Sequence, residues 1–170
     1  AISYSLMGEA DVVATNVNLS LTGTTFDVKY YNAAQTISSS LIGRFNIQNI
    51  LAAYSTCIGL GIDPIIVARG VTNLKSVAGR FQQFSSPDGW IAVVDYAHTP
   101  DALERVLIAL KAVTKGKVRI VFGATGDRDA TKRPTMGKIA AKNADMIYLT
   151  DDETYTEDPA KIRAAVRQGI

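Results

Sequence analysis

Three times between Trp90 and the end of the chain the sequence repeats one pattern: a short apolar run, a polar loop, then a helix-like segment. "WIAVVD" precedes a helix expected over 100–113. "KVRIVFG" precedes one expected over about 134–143, and "DMIYLTD" precedes one that starts at Pro159. Short, uniformly apolar strands that alternate with helices call for an α/β fold, with a mostly parallel sheet and crossover helices. The first helix start is fully marked. Thr99 is its cap, Pro100 fits the first turn, and Asp101 favours the positive end of the helix dipole. Leu103, Val106, Leu107 and Leu110 follow at i, i+3, i+4 and i+7, a stripe that packs the helix onto the sheet. Val93 and Val94 read as buried strand residues, and Asp95 as the point where the strand leaves the core.

The first half of the chain has a different rhythm. Residues 10–42 alternate in the manner of strands, with Gly23 and Asn32 as punctuation. Residues 45–60 take a helical period. Asn46, Asn49 and Ala53 lie near one face, Ile47, Ile50, Leu51 and Tyr54 face another way, and Gly59 and Gly61 stop the helix. Asp63-Pro64 opens a second helix to about Asn73, with a cap and a proline at its first position. A seam follows at 76–79. Beyond it "GRFQQF" and "WIAVVD" flank "SSPDG", a turn between antiparallel strands. The chain begins at Ala1 and stops in or just after a helix, so it reads as a piece excised from something longer.

At 170 residues and 47% apolar composition the chain can bury a real core. No apolar run approaches the roughly 18 residues that a membrane span needs. A net charge of +2 is too small to argue for nucleic acid. The single cysteine, Cys57, excludes an internal disulfide and fits a reducing cytoplasm. Its apolar helical setting makes it a buried, inert thiol.

Chemistry concentrates in the three loops that follow the repeated strands. The first carries Asp95 and His98, the chain's only histidine. The second, "GATGDRDATKRP", carries Asp127, Arg128, Asp129, Lys132 and Arg133. The third, "DDETYTEDP", carries Asp151, Asp152, Glu153, Glu157 and Asp158. Parallel strands would put all three at one sheet edge, outside the carboxyl ends of the strands, where open α/β sheets bind ligands. Other motifs fail. "LTGTTF" lacks the lysine of a phosphate loop and leads into a strand, so it reads as a turn. "GATG" lacks the dinucleotide-binding spacing. One His and one Cys give no zinc site, and no G-x-S-x-G elbow supports a hydrolase triad through His98. Taken alone, His98 reads as a residue that orders the helix start, Asn49 as an exposed helical amide, and Arg80 as a surface cation.

Four stretches taken together resemble a known family. "LIGRFNIQNILAA" (41–53), "VAGRFQ" (77–82), "VVDYAHTPDALERVL" (93–107) and "VFGATGDRDATKRPTMGKIA" (121–140) are similar, in this order, to the Mur ligases. Within them they resemble the UDP-N-acetylmuramoyl-tripeptide synthetases, the branch that adds the third amino acid of the peptidoglycan stem peptide. The resemblance implies that 1–77 are the last part of a central ATP-binding domain and that 78–170 are the first part of a Rossmann-like, amino-acid-binding domain. It implies a cytoplasmic enzyme that uses ATP and Mg²⁺ to join UDP-N-acetylmuramoyl-L-alanyl-D-glutamate to lysine, ornithine or diaminopimelate through an acyl phosphate. The phosphate loop and most of the Mg²⁺ site would lie upstream of Ala1, so these residues alone are expected to be inactive, with no catalytic residue among them.

By the same resemblance, Asn49 contacts adenine, Arg80 belongs to the seam motif, Asp95 holds the ribose hydroxyls and His98 positions the nucleotide. Arg128 grips the carboxylate of the incoming amino acid, a task suited to a planar fork, and Lys132 and Arg133 support its loop. Asp152, Glu153, Tyr155 and Glu157 face the substrate. Family members that use diaminopimelate often carry Asp-Asn-Pro-Arg where this chain has Asp152-Glu153-Thr154-Tyr155. The implied preference here is therefore for a basic amino acid. Two alternatives stand beside this reading: a superfamily relative of the folylpolyglutamate or cyanophycin synthetase kind, and a non-catalytic nucleotide- or amino-acid-binding module.

Overall fold

The structure, a computed structural model, describes residues 1–31 and 33–170. Asn32, expected as punctuation between strands, lies outside the described residues. The chain folds as two compact units, 1–95 and 96–170. They divide further along the chain than the seam at 76–79.

In the first unit a four-stranded sheet runs in the order β1 (Tyr4–Ser5), β2 (Val12–Ser20), β3 (Gly23–Tyr30), β4 (Ala33–Ser39). β2, β3 and β4 form an antiparallel meander, as the alternation requires. Val12, Ala14, Phe26, Val28 and Ile37 are buried on one face. β1, which pairs parallel with β2, escaped the sequence reading because two residues carry no period. "LTGTTF" is the β2–β3 turn, where Ser20 pairs with Gly23.

Helices α1 (Arg44–Gly59) and α2 (Pro64–Asn73) cover the buried face. Ile47, Ile50, Leu51 and Tyr54 of α1 enter the core as their spacing predicts. Asp63 caps α2 by accepting the Ile65 N–H at 2.7 Å. Cys57 is half-buried against this core rather than fully buried, a correction that reflects its place at the margin of the α1 stripe.

Strands β5 (Gln82–Ser85) and β6 (Ile91–Val94) form the expected antiparallel hairpin. Among the described residues β6 pairs only with β5. The reading of Val93 and Val94 as buried is therefore corrected. Val93 is half-buried and Val94 is 50% exposed, because a two-stranded hairpin leaves one face uncovered.

The second unit contains α3 (Pro100–Val113), β7 (Arg119–Phe122), α4 (Lys132–Asn143), β8 (Met146–Leu149) and α5 (Pro159–Arg167). β7 and β8 pair in parallel, from Arg119↔Met146 to Phe122↔Leu149, with α4 as the crossover. Leu103 and Leu107 of α3 pack with Val118, Ile120, Met136 and Ala140. Ile162 and Val166 of α5 pack with Ala124. Thr99 accepts the Ala102 N–H, and Asp158 accepts the Ala160 N–H, so two of the three helices start where the sequence places them. α4 starts two residues before the expected 134. Asp129 accepts the N–H and hydroxyl of Thr131 and turns the chain early. Pro134 then falls in the first helical turn, where its missing N–H costs nothing.

Leu107 is 2% exposed and its neighbour Ile108 is 51% exposed. Leu107→Ala is expected to destabilise the second unit by about 2–5 kcal/mol, and Ile108→Ala by less than about 0.5 kcal/mol. Chemical denaturation followed by circular dichroism reads both.

Candidate functional site

Because β7 and β8 are parallel and in register, the loops that leave them emerge at the same edge. This places two of the three polar loops together. The chain continues from the strand ends as a bonded pair: Thr150 N–H donates to the Phe122 carbonyl at 3.0 Å and Gly126 N–H to the Glu153 carbonyl at 2.8 Å. Only glycine permits that approach. A Cβ on Gly126 would stand 1.9 Å from the Thr154 oxygen.

Side chains tie the loops further. Thr125 donates to Asp152 at 2.8 Å. The Asp127 carboxylate accepts the Thr156 N–H at 3.1 Å and its hydroxyl at 2.8 Å. In return the Asp127 N–H donates to Glu157 Oε1 at 2.6 Å. Arg133, in the first turn of α4 and only 3% exposed, donates Nη1 to Glu157 Oε2 at 2.8 Å and Nη2 to Oε1 at 2.7 Å. Its Nη2 also reaches the Thr125 carbonyl at 3.3 Å. A buried guanidinium needs such partners, since an unpaired buried charge is costly.

The residues expected to read an amino acid sit on top of this framework. Arg128 is exposed, and its guanidinium lies 5.7 Å from the centre of the Tyr155 ring. The Tyr155 hydroxyl donates to Glu153. That bond, and then the charge of Glu153, pushes the Tyr155 phenol above its ordinary value. Arg128, Tyr155 and Glu153 thus stand as a row of cation, ring and carboxylate. Asp151 is held by Arg163 of α5.

The three residues expected to contact the nucleotide from the first half of the chain, Asn49, Arg80 and Asp95, lie in the first unit. Asn49 is exposed on α1, and its amide donates to Asn46 Oδ1 at 3.3 Å. Asn46 is itself buried and donates to the Ile42 carbonyl at 2.8 Å. One turn earlier, Phe45 meets the Phe81 ring edge-on at 5.5 Å. The peptide N–H between Arg80 and Phe81 donates to Asp95 Oδ2 at 2.7 Å. Phe81 is buried with φ of 50°, a left-handed conformation that a bulky residue adopts only when its surroundings impose it. Arg80 and Asp95 therefore meet at the Phe81 N–H, while Asn49 stands one turn along α1 from the Phe45 ring that touches Phe81. Phe81 has no polar atom on its side chain, so nothing in the sequence marked it.

His98 belongs to the second unit. Its Nδ1 lies 2.9 Å from the Tyr96 carbonyl, and its ring meets Tyr96 edge-on at 4.9 Å. A carbonyl only accepts, so Nδ1 is the donor in this contact. Lys132 Nζ donates to the His98 carbonyl at 2.8 Å and ties this loop to the start of α4. Arg133 supports the Arg128 loop as expected, through the Thr125 carbonyl, whereas Lys132 bonds to the His98 loop instead. The sequence reading missed Thr125 and Thr156 and gave Asp127 no partner, although their contacts join two loops far apart in sequence.

Comparison with known proteins identifies the family. The family model for the Mur ligase middle domain matches residues 1–57, and that for the Mur ligase glutamate ligase domain matches 79–170. The chain belongs to the Mur ligase family.

The chain is 41% identical to a UDP-N-acetylmuramoyl-L-alanyl-D-glutamate–2,6-diaminopimelate ligase of Solibacter usitatus, over 98% of its own length and 34% of that protein. To the ligase of the same name from Bacillus velezensis it is 40% identical, over 99% of the chain and 34% of the relative. It thus spans about a third of the length of these relatives. A solved ligase of that name superposes with a TM-score of 0.66 at 38% identity, over 99% of this chain and 35% of that one. UDP-N-acetylmuramate-alanine ligase from Thermotoga maritima shares the fold, with a TM-score of 0.76 at 21% identity, over 98% of this chain and 37% of that one.

In this Mur ligase chain the most perturbed carboxylate is Glu157. The Arg133 hydrogen bonds, then the Asp127 N–H, lower it to about 2. A depressed carboxylate stabilises the fold fully above its unfolded value, and that stabilisation fades as the pH falls through the folded one. The window here runs from about 4.5 down to about 2. We expect the Glu157 side-chain carbon to titrate near 2 by NMR. Glu157→Gln should flatten the acid dependence of the second unit's stability across that window. A Glu157 midpoint near 4.5 would contradict the bonding described.

Proposed function

We propose that this chain is the junction region of an ATP-dependent ligase that adds the third amino acid to UDP-N-acetylmuramoyl-L-alanyl-D-glutamate. In this reading 1–77 are the end of the middle domain and 78–170 the start of the amino-acid-binding domain. The observation that carries it is the row of Arg128, Tyr155 and Glu153 on two latched loops, in a chain similar along almost its whole length to ligases of that name. Such an enzyme draws on ATP and a UDP-sugar and works in the cytoplasm.

A carboxylate and an amine do not condense in water without activation. ATP supplies it by phosphorylating the carboxylate, and the amine then displaces phosphate. The residues present fit the nucleoside part of ATP. Asn49 offers an amide, fixed by Asn46, to a base edge. Asp95 offers a carboxylate to ribose hydroxyls, a pairing suited to an acceptor-only group. Arg80 directly precedes Phe81, whose N–H Asp95 accepts. The 170 residues contain no G-x-x-x-x-G-K-[ST] phosphate loop. Among the described residues no cluster of His, Cys, Asp or Glu could hold a metal. The Mg²⁺ of phosphoryl transfer is therefore not assigned to them, and the chain alone is expected not to turn over ATP.

Arg128 would take the α-carboxylate of the amino acid in its planar fork and leave the amine free to attack. The relatives are named for diaminopimelate, whose far end carries a second carboxylate beside its ammonium. Asp152 and Glu153 would repel that carboxylate in a partly desolvated site. The ammonium of lysine or ornithine would find Glu153, oriented by Tyr155, with no such carboxylate beside it. The proposed third amino acid is therefore a basic one.

Two assays on the ligase that carries this chain test the reading. Asp95→Ala should raise the KM for ATP by about tenfold or more, since a hydrogen bond to a charged group contributes about 1.5–3 kcal/mol. An unchanged KM would remove Asp95 from the nucleotide site. In competition, kcat/KM should be higher for lysine or ornithine than for diaminopimelate, and Glu153→Gln should erase the difference. Preference for diaminopimelate would overturn the basic specificity.

A further inference from the structure

The Arg133–Glu157 pair touches neither Arg128 nor Tyr155 in any contact described above, yet both of those residues hang from what it holds. Arg128 directly follows Asp127, whose N–H donates to Glu157. Tyr155 directly precedes Thr156, whose N–H and hydroxyl donate to Asp127. Asp127 and Tyr155 both take left-handed backbone conformations, with φ of 51° and 47°. Non-glycine residues persist there only where surrounding bonds over-determine them. Each reading residue is thus fixed by a neighbour that the pair anchors.

We infer that Arg133 and Glu157 are positioning residues for amino-acid recognition: through Asp127 and Thr156 they set where Arg128 and the Tyr155–Glu153 pair stand. This rests on the reading of those three residues as the amino-acid site. It also gives Glu157 a task other than substrate contact. Both of its oxygens are occupied, Oε2 by Arg133 Nη1 and Oε1 by Arg133 Nη2 and the Asp127 N–H.

A role in stability alone would make a different demand. An apolar pair of similar volume often replaces a buried ion pair at no cost in stability, whereas removing one partner strands the other. Positioning needs more than filled volume. It needs the guanidinium fork that aims Glu157, and the carboxylate that receives the Asp127 N–H. Arg133→Met/Glu157→Leu separates the two roles, because it can restore stability and cannot restore the bond to Asp127. Glu157→Gln is the milder companion. It keeps an acceptor for the N–H and loses the charge-assisted pairing, and it carries the same readouts should the double variant fail to fold.

The test has two arms. In the ligase that carries this chain, the double variant should keep a Tm close to that of the unaltered protein and an unchanged KM for ATP. The KM for the amino acid should rise about tenfold or more. In the 170-residue chain, the amide signals of 126–128 and 154–156 should move together, while those of β7 and β8 stay in place. A double variant of native Tm that keeps both its amino-acid KM and its 126–128 and 154–156 signals would overturn the inference and leave the pair a stabilising contact. If the unaltered ligase couples no amino acid at all, the proposed function falls. The amide signals then decide the latch by themselves: collective movement sustains it and unchanged positions overturn it.

Discussion

Arg133 carries a permanent charge at a position where 3% of the residue is exposed. Such a charge is tolerable only with a partner, and the partner must come from another part of the chain because the helix that bears Arg133 offers none. Glu157 meets that demand from the loop after β8, and the Thr125 carbonyl adds to it from the loop after β7. Two loops that would otherwise be independent excursions from a two-stranded parallel ladder are thereby held in one arrangement. Gly123 and Gly126 make the arrangement possible at the backbone level, since a Cβ at either would collide with the neighbouring loop. The exposed row of Arg128, Tyr155 and Glu153 can then be sparse: three side chains carried on a rigid base.

The first unit solves a related problem with aromatic packing in place of a buried ion pair. Phe81, buried against Phe45 and bent into a left-handed conformation, brings the Arg80–Phe81 peptide to Asp95. The amide chain from Ile42 through Asn46 fixes the carboxamide of Asn49 on the neighbouring turn of α1. Asn49, Arg80, Arg128, Glu153 and Tyr155 are exposed and Asp95 is half-buried, while Asn46, Phe81 and Arg133 beneath them are buried. Lost packing or lost pairing beneath a site therefore affects recognition as well as stability.

Much of the fold was legible because period and punctuation agreed. Asp63-Pro64, Thr99-Pro100 and Asp158-Pro159 each combine a capping side chain with a proline at the first helical position, and each begins a helix where read. The start of α4 was read late because its turn is made by Asp129 and Thr131, upstream of the proline taken as the marker. β1 was invisible for lack of length. Val94 was misplaced because a short apolar run says nothing about how many strands lie beside it. The candidate site was legible in its charged residues, through local composition and family resemblance. Its supports were less so. The bonds of Asp127 to Thr156 and of Arg133 to Glu157 join positions distant in sequence, and Phe81 acts through shape and backbone strain.

Whether these two loops form a surface that reads an amino acid is decided most directly by titrating the isotopically labelled chain with L-lysine while following its amide and arginine side-chain NMR signals. Nε-acetyl-lysine, which keeps the α-carboxylate and loses the far charge, is the control. The expected result is saturable movement confined to 126–128 and 152–156, with the Glu153 and Tyr155 signals responding to lysine and not to the acetylated form. No saturable movement in those loops, or an equal response to both compounds at Glu153, would contradict it.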